Sequence, residues 1–418
     1  MATNESVFRP AEILLPAAEV AKEKWACVAC DQYTSQPEYW EEVESVVGDQ
    51  PSTLRLMLPE CYLAQSDERV PRIHATMAEY LQSGILTPAV ENGFVLCFRT
   101  TESGTRTGLV GTVDLEAYDY TAGSLPLVRP TEQTIAERLP ARLKIRRGAP
   151  VELSHILILI DDPEGTVLEP LKQKAGSLRE LYDFDLMQRG GHLKGYAVEA
   201  EEDLRSVDQA LDNLKAGMGE NPLLLAVGDG NHSLATAKAY WNEIRETLTE
   251  AERETHPARF ALCEIENIHD PALKFEPIHR LVTGTTPEEL YDCWEKYAAE
   301  RGMTLAEDGE GHTFTMVIRK DEYPVVVRNP KCVIPCETIQ TFLDDFLASH
   351  PEAVIDYIHG AAAVRELAKK RDSVGFLLPD IDKHAFFEDV KRLGVLPRKT
   401  FSMGEADEKR FYMEAKKI

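Results

Sequence analysis

The stretch Leu223-Leu224-Leu225-Ala226-Val227-Gly228-Asp229-Gly230-Asn231-His232-Ser233-Leu234-Ala235-Thr236-Ala237-Lys238 decides how this chain is expected to fold. An apolar run stops at Gly-Asp-Gly-Asn-His, and an Ala- and Leu-rich run follows at once. That order predicts a buried strand, a tight turn and a helix N-terminus. The first turn of a helix carries unpaired N–H donors and the positive end of the dipole, so it attracts anions. Asp229 falls where the strand releases its last carboxylate, and the glycines on either side of it suit a backbone approached closely by a ligand. This turn is the expected active site.

The segments around it alternate between strand and helix patterns. Gly93 to Arg99 and Gly108 to Leu115 predict strands, and Leu153 to Ile160 predicts a buried one. Ser35 and Glu38 suit a capping box, and Thr131 suits the N-cap of a helix running past Arg142 toward Lys144. Helices are expected at Val207 to Ala216, after His232, from Pro287, and at Thr338 to Ala348. Further strands are expected at Phe260 to Ile265 and Val374 to Leu378, with a hairpin over Thr313 to Val327. The fold class is therefore mixed α/β. Three parts are expected: an N-terminal segment 1–115, a central domain 116–285 that holds the turn, and a C-terminal segment 286–418.

Composition narrows the functions. The 418 residues are 43% hydrophobic and 28% charged, with a formal net charge of -25. Such acidity argues against nucleic-acid binding, because phosphate backbones are held by Lys and Arg. No apolar run approaches the roughly 20 residues needed to span a bilayer, so no membrane partner is expected. The eight cysteines are diluted along the chain and fit reduced thiols and a cytoplasmic location. Cys27 and Cys30 with Cys332 and Cys336 would make four zinc ligands. Their flanks lack knuckle glycines and the second spacing is irregular, so plain thiols are the simpler account.

At several points the chain resembles the domain-of-unknown-function family DUF1015. The resemblance rests on Phe8-Arg9-Pro10, Cys30-Asp31-Gln32-Tyr33, Arg129-Pro130-Thr131-Glu132-Gln133-Thr134, Asp229-Gly230-Asn231-His232, Pro277-Ile278-His279-Arg280 and Pro397-Arg398-Lys399-Thr400. The family's usual turn, Asp-Gly-His-His-Arg, is similar to that of the ParB/sulfiredoxin-like fold, where it opens a helix and holds nucleotide phosphates. Some members of that wider fold are free-serine kinases. The resemblance implies a central ParB/sulfiredoxin-like mixed-sheet core flanked by N- and C-terminal α/β segments. Here Asn231 replaces the first His and Ser233 replaces the Arg, which removes a guanidinium from the turn.

The expected function is nucleotide-dependent phosphoryl transfer to a small hydroxylated metabolite, with serine suggested by analogy. ATP or ADP with Mg2+ would be bound, because phosphate charge needs neutralising. Glu132 would be the general base, with Asp229 and His232 the other catalytic groups. Gly230, Asn231, Ser233, Arg129, His279, Arg280 and Lys399 would contact phosphate. Asp229 and Asp31 are the candidate metal ligands, although Asp31 equally suits a substrate amine or a helix cap. The alternatives are a hydrolase using the same pocket and a non-catalytic sensor or partner-binding protein. A small molecule is the expected partner, and a homodimer is admitted. No Walker sequence and no kinase-type Gly-rich loop is present.

Overall fold

In the computed structural model, which describes residues 6–134 and 139–418, two compact units form. One is Met1–Leu273 joined by Ala406–Ile418, and the other is Lys274–Glu405. Both mix helices with sheet, as expected of a mixed α/β chain.

The first unit is organised by the strand Leu225–Asp229. It pairs in parallel with Val128–Arg129 and antiparallel with Ile156–Ile160. Ile156–Ile160 is buried at all five positions, the pattern of a strand covered on both faces. The sheet continues through Phe260–Asn267, Gly104–Asp114 and Leu86–Thr101, with His192–Val198 and Arg179–Asp185 added beyond. Helices Glu201–Ala216 and Asn231–Arg245 send Val207, Leu211, Leu234 and Trp241 into one core, together with Ile158 and Val227. Helices Pro37–Val47 and Ser66–Gln82 send Trp40, Val43, Ile73 and Met77 into a second, together with Val95 and Leu262. The last residues return to this unit. Phe411–Tyr412 pairs with Cys27–Val28, and Ala415–Lys417 pairs with Val151–Leu153.

The second unit has its own antiparallel sheet, in which Phe275–Thr283 lies between Val354–His359 and Ser373–Leu377. Helices Pro287–Glu300 and Pro335–Ser349 cover it. Trp294 stacks on Phe342 with ring centroids 5.3 Å apart, and Phe314 and Phe376 meet Trp294 edge-on.

Several expectations change. A division at residue 115 does not occur, because residues 108–114 of the strand Gly104–Asp114 pair with residues 260–266. The boundary expected near 285 lies at Leu273 and Lys274, and the final residues rejoin the first unit. Ser35 does not cap a helix: Pro37 opens it, and Gln36 precedes it without a side-chain cap. Thr131 is not an N-cap either. Its hydroxyl donates to the Val227 carbonyl at 2.6 Å, and the described helix begins at Leu139. Residues 135–138 of the expected helix lie outside the described residues. The run Leu153 to Ile160 is broken at Ser154 and His155. There the Arg410 guanidinium donates to the Ser154 carbonyl at 3.2 Å and to its hydroxyl at 3.1 Å.

Candidate functional site

The strand Leu225–Asp229 ends in Gly230, whose φ of 82° lies in the left-handed region. The helix Asn231–Arg245 then starts with Gly230 as its N-cap residue, which brings no side-chain cap of its own. A Cβ at position 230 would lie 3.0 Å from His155 Cδ2 and 3.2 Å from Ile156 Cα. Glycine is therefore required twice, by its dihedral and by the imidazole beside it.

Two carboxylates meet one ammonium here. Asp229 accepts the Gly230 N–H on Oδ1 at 2.9 Å, and its Oδ2 lies 3.4 Å from Lys409 Nζ. Lys409 also acts electrostatically on Asp31. The Asp31 carboxylate lies 3.6 Å from His155 Nε2 and accepts from the Gln32 amide at 3.0 Å. Burial by itself raises the Asp31 carboxyl, but His155, Gln32 and Lys409 hold it well below the usual carboxylate range. Burial likewise opposes charge on His155, yet Asp31 holds its imidazole well above the ordinary value. The pair is therefore a carboxylate and an imidazolium. His155 Nδ1 donates to the Tyr412 hydroxyl, which also accepts the Cys30 N–H at 3.0 Å.

Asn231 supplies the second half of the site. It is buried, its Oδ1 accepts the Thr131 N–H at 3.0 Å, and its Nδ2 donates to Thr131 Oγ1 at 3.3 Å. An amide has both an acceptor and a donor, so one side chain fastens the segment around residue 131 to the helix start. Glu132, half-buried, follows directly on that clamp. His232 and Ser233 are the second and third residues of the helix and are half-buried.

The other expected phosphate contacts have partners elsewhere. The Arg129 guanidinium bonds the Pro126 carbonyl at 3.0 Å, the Asn221 amide oxygen at 2.5 Å and the Pro222 carbonyl at 2.8 Å. That side chain fastens the loop before the strand. His279, Arg280 and Lys399 belong to the second unit. His279 Nδ1 accepts the Leu378 N–H at 3.1 Å, and burial with the nearby Arg280 charge holds the imidazole down to about 4. Arg280 is fully buried among partners of that unit, and Lys399 is exposed.

Sequence reasoning passed over His155, Lys409 and Tyr412. His155 was hidden inside an apolar run. Lys409-Arg410, a basic pair after Asp407-Glu408, was the available signal in the tail. Arg410 anchors that tail. It pairs with Glu264 and Glu414, each at 2.5 Å, and all three side chains are at most 4% exposed. The Cys97 thiol donates to Glu264 at 2.9 Å, and the Tyr182 hydroxyl bonds Glu414. Gly108 leaves room for Glu264, whose Oε1 would lie 1.8 Å from a Cβ there.

A resident divalent ion does not fit this donor set. Among the described residues no group of three or more His, Cys, Asp or Glu gathers as ligands. Asp229 faces Lys409, and Asp31 faces His155. A cation already stands against each carboxylate proposed as a ligand.

The model of the DUF1015 family of proteins of unknown function matches residues 10–346, and the chain belongs to that family. Lys409, Arg410 and Tyr412 lie beyond the matched residues. No curated protein matches the chain. Among solved structures, it is similar to a free serine kinase in complex with AMP, at 14% identity and a TM-score of 0.39, over 72% of this chain and 90% of that one. It is also similar to SbnI with a C-terminal truncation from Staphylococcus aureus, at 10% identity and a TM-score of 0.36, over 71% and 82%. A third is a conserved hypothetical protein from Pyrococcus furiosus, at 13% identity and a TM-score of 0.34, over 73% and 94%.

Proposed function

We infer that this member of the DUF1015 family transfers a phosphoryl group from a nucleotide to a small hydroxylated metabolite. The observation that carries this is the helix start at Asn231, opened by Gly230, with the Lys409 ammonium beside it. The N–H groups of a helix's first turn and a half-buried ammonium form a cradle for phosphate oxygens. Asp229 holds Lys409 in place and offers it to the ligand by exchanging partners. The family's Arg is absent from the turn, and Lys409 supplies positive charge from the tail instead.

Glu132 is the general base in this proposal. Asp31 is unsuited to that task, because a carboxylate held so far down takes a proton poorly at neutral pH. Asp31 and His155 instead position the turn, with the imidazole packed against Gly230. Asn231 sets the distance between Glu132 and the helix start through Thr131. Catalysis by such a site is positioning and charge stabilisation, the main requirements of phosphoryl transfer. Mg2+ would arrive with the nucleotide as part of the substrate.

Thermal denaturation with AMP, ADP and ATP, each with and without Mg2+, tests the inference. Ligand at 100 times its Kd stabilises the folded state by about 2.7 kcal/mol, which is a readily measured shift. The expected result is stabilisation that disappears in Asp229→Asn and in Lys409→Met. A chain indifferent to every nucleotide would overturn the proposal and favour a sensor. Phosphate release without any acceptor would favour a hydrolase.

A further inference from the structure

The second unit holds a buried cation that makes no ion pair among the described residues. Arg280 is 0% exposed. Its Nε donates to Gln340 Oε1 at 3.0 Å and its Nη1 to the Ile278 carbonyl at 2.5 Å. Its guanidinium lies 4.7 Å from the centre of the Tyr357 ring. Among the described residues no carboxylate forms an ion pair with it. The remaining nitrogen, Nη2, points at Cys336 Sγ at 3.2 Å and reaches the Arg398 carbonyl at 3.5 Å. A buried charge is costly unless a counter-charge stands beside it. Of the two neighbours able to become anions, the Tyr357 phenol and the Cys336 thiol, the thiol ionises more readily and is the one an Arg280 N–H points at.

Two further features favour charge on that sulfur, against the carboxylates that line the cavity beside it. Cys336 is the second residue of the 15-residue helix Pro335–Ser349, where the dipole stabilises an anion. The Thr400 hydroxyl lies 3.4 Å from Sγ and 2.6 Å from the Pro397 carbonyl, and it can turn its one proton from the carbonyl to a charged sulfur. Cys336 also lines a cavity of about 250 Å3, so a small reagent reaches it although its surface is 5% exposed. The walls include Ile334, Leu378 and Phe386, and the polar lining includes Asp380, Asp382 and Asp389, with no Lys or Arg.

We propose that Cys336 is a reactive thiolate, paired with Arg280, and that its cavity takes small disulfides or other soft electrophiles bearing a cationic amine. With cystamine the reaction is thiol–disulfide exchange. The Cys336 thiolate attacks one cystamine sulfur, a new S–S bond forms, and the old S–S bond breaks. The Cys336 sulfur is oxidised, the departing sulfur is reduced, and cysteamine leaves as a thiolate that takes a proton from water.

The test uses the full chain and mass spectrometry of each cysteine after brief labelling between pH 5 and 9. Iodoacetamide should label Cys336 with a midpoint below pH 7, against the ordinary value near 8.5. Cystamine should outpace dianionic dithiodipropionate at Cys336 by at least tenfold more than at Cys332, which controls for the acidity of the whole chain. Asp382→Asn with Asp389→Asn should shrink that preference. Arg280→Met should move the midpoint up by more than one pH unit. Arg280→Lys keeps the charge if the methionine variant fails to fold, and it should give a midpoint between the two. A Cys336 midpoint near 8.5 in the natural chain, or one unmoved by Arg280→Met, would overturn the proposal. Equal reagent preference at Cys336 and Cys332 would overturn its cationic ligand.

Discussion

A single methyl group at Gly230 separates backbone strain from close packing at the candidate site. Alanine there must hold φ near 82°, which costs about 1–2 kcal/mol in the left-handed region. It must also place Cβ 3.0 Å from His155 Cδ2 and 3.2 Å from Ile156 Cα. The imidazole is tied to Asp31 and Tyr412, and Ile156 begins a buried strand, so neither yields freely. Overpacking of this kind costs about 1–3 kcal/mol more. Gly84 provides the comparison, since its φ is 74° and a Cβ there meets nothing within 4 Å. Urea denaturation should show Gly84→Ala destabilised by about 1–2 kcal/mol and Gly230→Ala by about 2–5 kcal/mol. The difference between them measures the contact with His155. In the same variant the nucleotide-dependent thermal shift should fall, because a displaced imidazole disturbs the turn. Equal destabilisation of the two variants would refute the packing argument, and an unchanged nucleotide response would refute the link between His155 and the site.

Other outcomes follow from the same geometry. Arg410→Met leaves Glu264 and Glu414 buried without their cation and should cost about 3–5 kcal/mol, read by urea denaturation. Asn231→Ala removes the clamp on Thr131, and it should lower kcat far more than it weakens nucleotide binding, measured by steady-state kinetics and calorimetry. The Asp31–His155 pair gives stability a pH dependence of known sign. Asp31 is held below its unfolded value, so its contribution is present above the ordinary carboxylate range and is lost as pH falls below that range. His155 is held above its unfolded value, so its contribution is full below about pH 6.5 and is lost as pH rises through the folded value. The stability difference between the natural chain and His155→Gln should therefore shrink at both extremes; a difference that grows with alkaline pH would contradict the assignment.

Much of the architecture was legible because it follows from local patterns. The apolar run before Asp229 became the strand Leu225–Asp229, and the Ala-rich run after it became the helix Asn231–Arg245. Gly230 adopts the left-handed conformation that such a junction needs. Where local pattern failed, a distant residue intervened. The strand pattern over Leu153 to Ile160 breaks where Arg410 takes hold of Ser154, some 256 positions away in sequence. Thr131 looked like a helix cap, but its hydroxyl is drawn to the carbonyl of Val227. Arg129 and Arg280 looked like anion contacts because guanidinium groups suit phosphate. Burial instead gave them carbonyl and amide partners.

The sequence by itself determined the strand–turn–helix and the place of Asp229 at its tip, since hydrophobic period and glycine conformation act over a few residues. Only the tertiary structure decided which groups surround that turn, Lys409 against Asp229 and His155 against Gly230 and Asp31. Lys409 and His155 are 180 and 74 positions from Asp229 by residue number, and their own neighbourhoods do not tie them to that turn. They arrive because the tail's strands close against Cys27–Val28 and Val151–Leu153. Coulomb interactions depend on distance in space, and that distance is set by the packing of the whole first unit.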